Sequence, residues 1–236
     1  MSDTQLTVVE HLTELRKRII ICLVSITAGA GLSYFFIQQI FDFIIKPVGK
    51  LVFISPQEAF VSYVKIAFIS GIFLSLPIVL FQLWQFVSAA LTVREKKYVF
   101  YFAPFSLMLF LGGAVFGYMV ILPLGLRFLL GFAAETLTPM ITMSKYVSFA
   151  GLLVLAFGVV FELPLVIMFL TKIRIITPQL LIKHRKYSIL IIFIIAALLT
   201  PPDVVTQCLM AGPLMVLYEI SILLSKLMQN RNRGRC

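Results

Sequence analysis

The chain has 236 residues, 61% of them hydrophobic and only 13% charged, with a formal net charge of +10. Together with a mean hydropathy of +1.04, this excludes an ordinary soluble domain, which carries about twice the share of charged residues. The basic excess does not point to nucleic acid, because Lys and Arg gather at the ends of long apolar runs, where a membrane topology signal belongs. The three cysteines, Cys22, Cys208 and Cys236, show no disulfide or metal spacing. Neither His11 nor His184 lies inside an apolar run, so no intramembrane histidine is available to a metal or a reaction.

Residues 1–18 read as a short amphipathic helix on the membrane surface, with Val8, Leu12 and Leu15 on one stripe and Glu10 and Glu14 on another. Arg16-Lys17-Arg18 flank a first span at about 19–41. Ile19 to Ala30 imitates a secretory signal, with Ala28-Gly29-Ala30 resembling a cleavage site, but the apolar run continues well past it. A loop holding Pro47, Gly49, Ser55, Pro56, Glu58 and Phe60 leads to a second span at about 66–91, where Trp84 fits an interfacial anchor. The charged loop Arg94-Glu95-Lys96-Lys97 precedes a third span at about 98–126. Gly113 and Gly117 there form a small-xxx-small pair that would let another helix approach closely, although such pairs also arise by chance.

The fourth span, at about 146–171, contains one carboxylate, Glu162, preceded by sixteen uncharged residues and followed by nine. An ionised carboxylate at the centre of a span costs about 2.5–3.5 kcal/mol on insertion scales, so it should face protein or a wet cavity. Pro164 removes a backbone donor two residues later and predicts a kink beside it. After a basic loop, residues 187–202 and 204–225 form short fifth and sixth spans, separated by the turn Pro201-Pro202-Asp203. Glu219, near the end of the sixth, is read as a local partner for Lys226 or the interface. The expected fold is an all-α integral membrane protein, a single six-transmembrane-helix bundle over 1–236. The N-terminal segment, the 94–97 loop, the 172–186 loop and the tail carry 15 of the 20 Lys and Arg. The positive-inside rule therefore puts both termini in the cytoplasm.

Several segments carry a further signal by their order: His11-Leu12-Thr13-Glu14-Leu15-Arg16-Lys17-Arg18, Ser55-Pro56-Gln57-Glu58-Ala59-Phe60 and Phe81-Gln82-Leu83-Trp84-Gln85-Phe86, then Arg94-Glu95-Lys96-Lys97, Ala156-Phe157-Gly158 leading to Phe161-Glu162-Leu163-Pro164, and Leu199-Thr200-Pro201-Pro202-Asp203 with Gln207. Together they resemble the TatC family, the signal-peptide receptor subunit of the twin-arginine (Sec-independent) protein translocase. Ala89 departs from the pattern, which usually has proline there. The resemblance implies a non-enzymatic component of a multimeric complex in the plasma (bacterial inner) membrane, without cofactor or metal. It implies that Glu14 and Glu95, with Arg16 and Arg94 beside them, bind twin-arginine signal peptides of folded precursor proteins. It further implies that Glu162, Pro164 and Gln207 meet small single-span TatA/TatB-like subunits, and that the trans-side loops with Pro47, Ser55, Pro56, Glu58, Phe60, Pro202 and Asp203 cap the bundle. Export would be driven by the proton motive force.

Each site residue also has a plainer reading. Glu14 and Arg18 are four apart and can simply pair on a helix, Glu95 has Lys96 and Lys97 beside it, and Glu162 can bond within its own chain. A rival function is an ion- or proton-coupled secondary transporter of small solutes using Glu162. That class often shows internal repeats, and none relates residues 1–118 to 119–236. An intramembrane serine protease lacks a histidine base within a span, and no phosphate-binding G-x-x-x-x-G-K-[ST] loop is present.

Overall fold

The computed structural model describes residues 8–89, 91, 93–131, 140–200 and 203–233. They form ten α-helices: α1 Val8–Phe35, α2 Ile37–Ile45, α3 Pro56–Ala89, α4 Val93–Phe116, α5 Leu122–Leu130, α6 Met143–Phe161, α7 Leu163–Lys172, α8 Pro178–Lys183, α9 Arg185–Leu199 and α10 Val204–Arg233. A π-helical turn, Gly117–Ile121, joins α4 to α5. Among the described residues the only β pairing is an isolated parallel bridge between Val52 and Thr142.

Five helical stretches are long and apolar enough to cross a membrane: Val9–Phe35, Pro56–Ala89, Phe102–Leu130, Met143–Lys172 and Val204–Gln229. Large apolar side chains lie exposed along all of them, as on Leu23, Phe68, Met108, Leu152 and Val216. Such exposure suits a chain whose surroundings are hydrocarbon rather than water. The expected fifth span corresponds to α9, whose 15 residues reach only about 22 Å at 1.5 Å per residue. The sixth, expected to be short, is not: α10 runs for 30 residues. The polar tail from Lys226 to Arg233 contains no glycine or proline to end the helix at Ser225. At the other end of the chain, α1 passes unbroken through residues 18 and 19, where a surface helix was expected to give way to a span. It stops instead at Phe35, with one residue, Phe36, before α2 begins.

The described residues divide into two compact units, one drawn from Met1–Met108 and Met140–Gly151, the other from Leu109–Pro139 and Leu152–Cys236. In the first, α1 lies along α3. The buried positions of α3 fall on two opposite faces: Ala67, Gly71 and Ser75 on one, and Ser62, Ile66, Leu76, Leu80 and Trp84 on the other. Trp84 is 5% exposed and stacked on Phe102 at 5.8 Å. It is a core residue and not the expected interfacial anchor, because it falls on the same stripe as Leu76 and Leu80. At the centre of the pair, a Cβ on Gly71 would lie 2.4 Å from the Ala30 backbone nitrogen, and one on Gly29 would lie 2.7 Å from the Gly71 carbonyl oxygen. The small residues that imitate a cleavage site thus form the notch through which two helix backbones meet.

In the second unit, α10 packs along α7 and α9. Here Gly113 and Gly117 do act as a contact pair: a Cβ on Gly113 would stand 2.4 Å from the Phe157 carbonyl oxygen, and one on Gly117 would stand 3.1 Å from the Phe157 Cβ. Gly158 returns the arrangement by receiving the Phe110 ring, 2.6 Å from where its Cβ would be.

Candidate functional site

The first turns of α1 place His11, Glu14 and Arg18 on one face, by their spacing of three and four. The Glu14 carboxylate accepts hydrogen bonds from Nε of Arg18, at 3.2 Å, and from its Nη2. The remaining terminal nitrogen, Nη1, donates to Oε1 of Gln82 at 2.9 Å and to Oε1 of Gln85 at 2.8 Å. Gln82 and Gln85 are three apart on α3 and therefore share a face, so one guanidinium ties the two helices. One turn earlier, the His11 ring stacks on Phe86 at 4.4 Å. The ion pair is sheltered, with side chains 13% exposed for Arg18 and 25% for Glu14. Arg16 is exposed on another face of α1. Arg94 and Glu95 begin α4, but their side chains lie outside the described residues. The sequence offered Arg18 only as a helical partner for Glu14, and Gln82 and Gln85 received no role. Two glutamines three apart in an apolar helix are the signal that could have drawn attention to them.

The groups expected on the trans side form a second cluster in the same unit. Ser55 and Glu58 make a variant of the capping box around the start of α3: Ser55 Oγ accepts from the Glu58 amide at 3.3 Å, and Glu58 Oε2 reaches one residue past the cap to accept from the Ile54 amide at 2.9 Å. Pro56 is the first helical residue, where its missing donor costs nothing. The other oxygen of Glu58 accepts from the Ser144 amide at 3.0 Å, at the start of α6. Lys65 donates to the Ser144 and Ser148 hydroxyls at 3.1 and 2.8 Å, and the Tyr146 hydroxyl donates to the Ile44 carbonyl at 2.6 Å. Pro47 lies in the turn after α2, which Gly49 completes with a φ of +82°. Phe60 is exposed.

In the second unit, Glu162 stands at the break between α6 and α7, with φ −71° and ψ −20°, and Pro164 follows as the second residue of α7, as the expected kink requires. Pro164 is buried, Glu162 is half-buried, and Oε1 of Glu162 is closed off from solvent. Gln207 on α10 donates from its side-chain amide to the Phe193 carbonyl of α9 at 3.0 Å. Asp203 caps α10 by accepting from the Thr206 amide at 2.7 Å and from the Thr206 hydroxyl. These two bonds favour the charged form and hold its carboxyl below the usual carboxylate range. Pro201 and Pro202 lie outside the described residues. Glu219 pairs with Arg185 at 2.5 Å, both side chains about half exposed, rather than with Lys226.

Long apolar helices with ionised groups near their ends define a multi-pass membrane protein. The family model described as Sec-independent protein translocase protein (TatC) matches residues 10–213. A Sec-independent protein translocase protein TatC of Carboxydothermus hydrogenoformans is 44% identical over 231 residues, covering 96% of this chain and 95% of the relative. That of Aquifex aeolicus is 40% identical over 232 residues, covering 95% and 96%. A crystal structure described as the twin arginine translocase receptor TatC superposes with a TM-score of 0.86 at 41% identity, covering 93% of this chain and all of that one. The chain belongs to the TatC family and is a subunit of the twin-arginine translocase, a transport component of the plasma (bacterial inner) membrane and not an enzyme.

Proposed function

We propose that this chain is the translocase's signal-peptide receptor, with Glu14 and Glu95 binding the paired arginines at the cytoplasmic face and Arg16 and Arg94 bordering them. The observation that carries the reading is the Glu14 carboxylate, which is sheltered, held in place on α1 and already engaged with a guanidinium. A carboxylate and a guanidinium match as two parallel charge-assisted bonds, which a lysine ammonium cannot reproduce. In the same reading the six spans form one membrane domain with both termini cytoplasmic. Glu162, Pro164 and Gln207 meet single-span TatA/TatB-like partners, and the loops with Pro47, Ser55, Pro56, Glu58, Phe60, Pro202 and Asp203 hold the opposite end. Folded precursors then cross through the multimeric complex at the expense of the proton motive force.

The test is binding of a twin-arginine signal peptide, and of its Lys-Lys counterpart, to the purified protein in detergent. Losing one charge-assisted bond costs about 1.5–3 kcal/mol, so E14Q and E95Q should each weaken binding of the Arg-Arg peptide by roughly 10- to 100-fold. Unchanged binding in the double variant would overturn the assignment.

A further inference from the structure

Arg18 occupies the same carboxylate that a signal-peptide arginine would need. Its contacts fall on two edges of the guanidinium: Nε and Nη2 face Glu14, while Nη1 faces the amide oxygens of Gln82 and Gln85. We propose that Arg18 is an internal competitor for Glu14, and that Gln82 and Gln85 are the seat on which it stays when a peptide arginine takes its place. This rests on Glu14 being a signal-peptide ligand.

The geometry gives the exchange a low cost. When Glu14 changes partners, the two charge-assisted bonds from Arg18 are lost and similar ones to the incoming guanidinium are made. The displaced guanidinium keeps two acceptors on α3, so its charge is not left bare against the protein. Amides suit that seat, because they hold a guanidinium without offering the incoming arginines a rival carboxylate. The apparent affinity of any ligand that needs Glu14 is then lowered by the fraction of time that Glu14 is free of Arg18. That factor is common to all such ligands, so it sets a threshold for binding and leaves the preference between ligands unaltered.

The experiment uses the full chain in detergent, with labelled Arg-Arg and Lys-Lys signal peptides. R18Q, and R18K at constant charge, should tighten both peptides by about two- to fivefold, the range an ion pair of this kind is worth, with their ratio unchanged. K17Q removes the same charge from an exposed neighbour and sets the purely electrostatic baseline, which R18Q should exceed. Q82L with Q85L should weaken both peptides, because the displaced Arg18 then loses its seat in the bound state while still reaching Glu14 in the free one. Thermal unfolding in detergent confirms that each variant is folded. Weaker binding by folded R18K, a changed peptide ratio, or equal effects of R18Q and K17Q would overturn the proposal. If E14Q leaves Arg-Arg peptide binding intact, the receptor reading itself fails; if E14Q destroys binding but the Arg18 variants do not tighten it, only the competitor role fails.

Discussion

The two units are held together by different chemistry. In the first, most of the long-range polar contacts involve an ionised side chain: Arg18 on the glutamines of α3, Glu58 on the Ser144 amide, Lys65 on two serines. In the second, the buried contact between distant elements is neutral, a hydroxyl pair between Thr171 and Ser225 at 2.7 Å, and the ion pair of Arg185 with Glu219 is exposed. The glycine notches are of two kinds: Gly29 and Gly71 in the first unit, and Gly113 in the second, set backbone close to the neighbouring helix, while Gly158 receives an aromatic ring. Charges are tolerable where a helix nears the interface, and hydroxyls can be satisfied deeper inside at less desolvation cost. A backbone notch cannot yield, whereas a ring can turn.

The sharpest way to break this contrast is to fill the notches. G71A drives a methyl into the Ala30 backbone, 2.4 Å away, and should cost about 2–3 kcal/mol or separate α1 from α3. G158A meets the Phe110 ring, which can shift, and should cost about 1 kcal/mol. Thermal unfolding in detergent would rank them, and equal losses would abolish the distinction. Next in size is T171V, which removes one partner of a buried hydroxyl pair and should cost about 1–2 kcal/mol. A double-mutant cycle with S225A should show a coupling of about 0.6–1.7 kcal/mol, the range seen between membrane helices. The smallest effect concerns the start of α10. The Asp203 carboxyl lies below its usual pKa in the folded protein. Its stabilisation is therefore complete above the ordinary aspartate value of about 3.9 and fades as pH falls from there through the folded value. Amide exchange at Thr206 should accelerate in that acid range, and D203N should remove the pH dependence.

Much of this was legible because it is local. Pro164 beside Glu162 announces the break between α6 and α7, and Gly113 with Gly117 marks a close approach, whereas Ser55-Pro56-Gln57-Glu58, read as part of a loop, proved to start α3. Glu14 and Arg18 pair at the spacing that a helix dictates. What was missed depends on partners far away in the chain. No local pattern links Arg18 to glutamines 64 and 67 residues later. Trp84 resembled a membrane anchor until its stripe on α3 was seen to face the core. Gly29 looked like part of a processing site because its partner, Gly71, is on another helix. The break at Phe36 has no proline or glycine to announce it, and the structure offers no reason for it in sequence terms.

The bond from Glu58 to the Ser144 amide joins residues 86 apart, which makes the first unit incomplete until the chain that closes it has been made. At about 5–20 residues per second, the ribosome needs roughly 4–17 s to deliver Ser144 after Glu58. During that interval the turn before α3 has only its own capping box to keep its shape, and α1 and α3 already have their glycine notch to meet through. The membrane therefore receives a helix pair first and its fastening later, so a stalled chain ending before residue 144 should expose the loop around Glu58 to proteolysis that the finished protein resists.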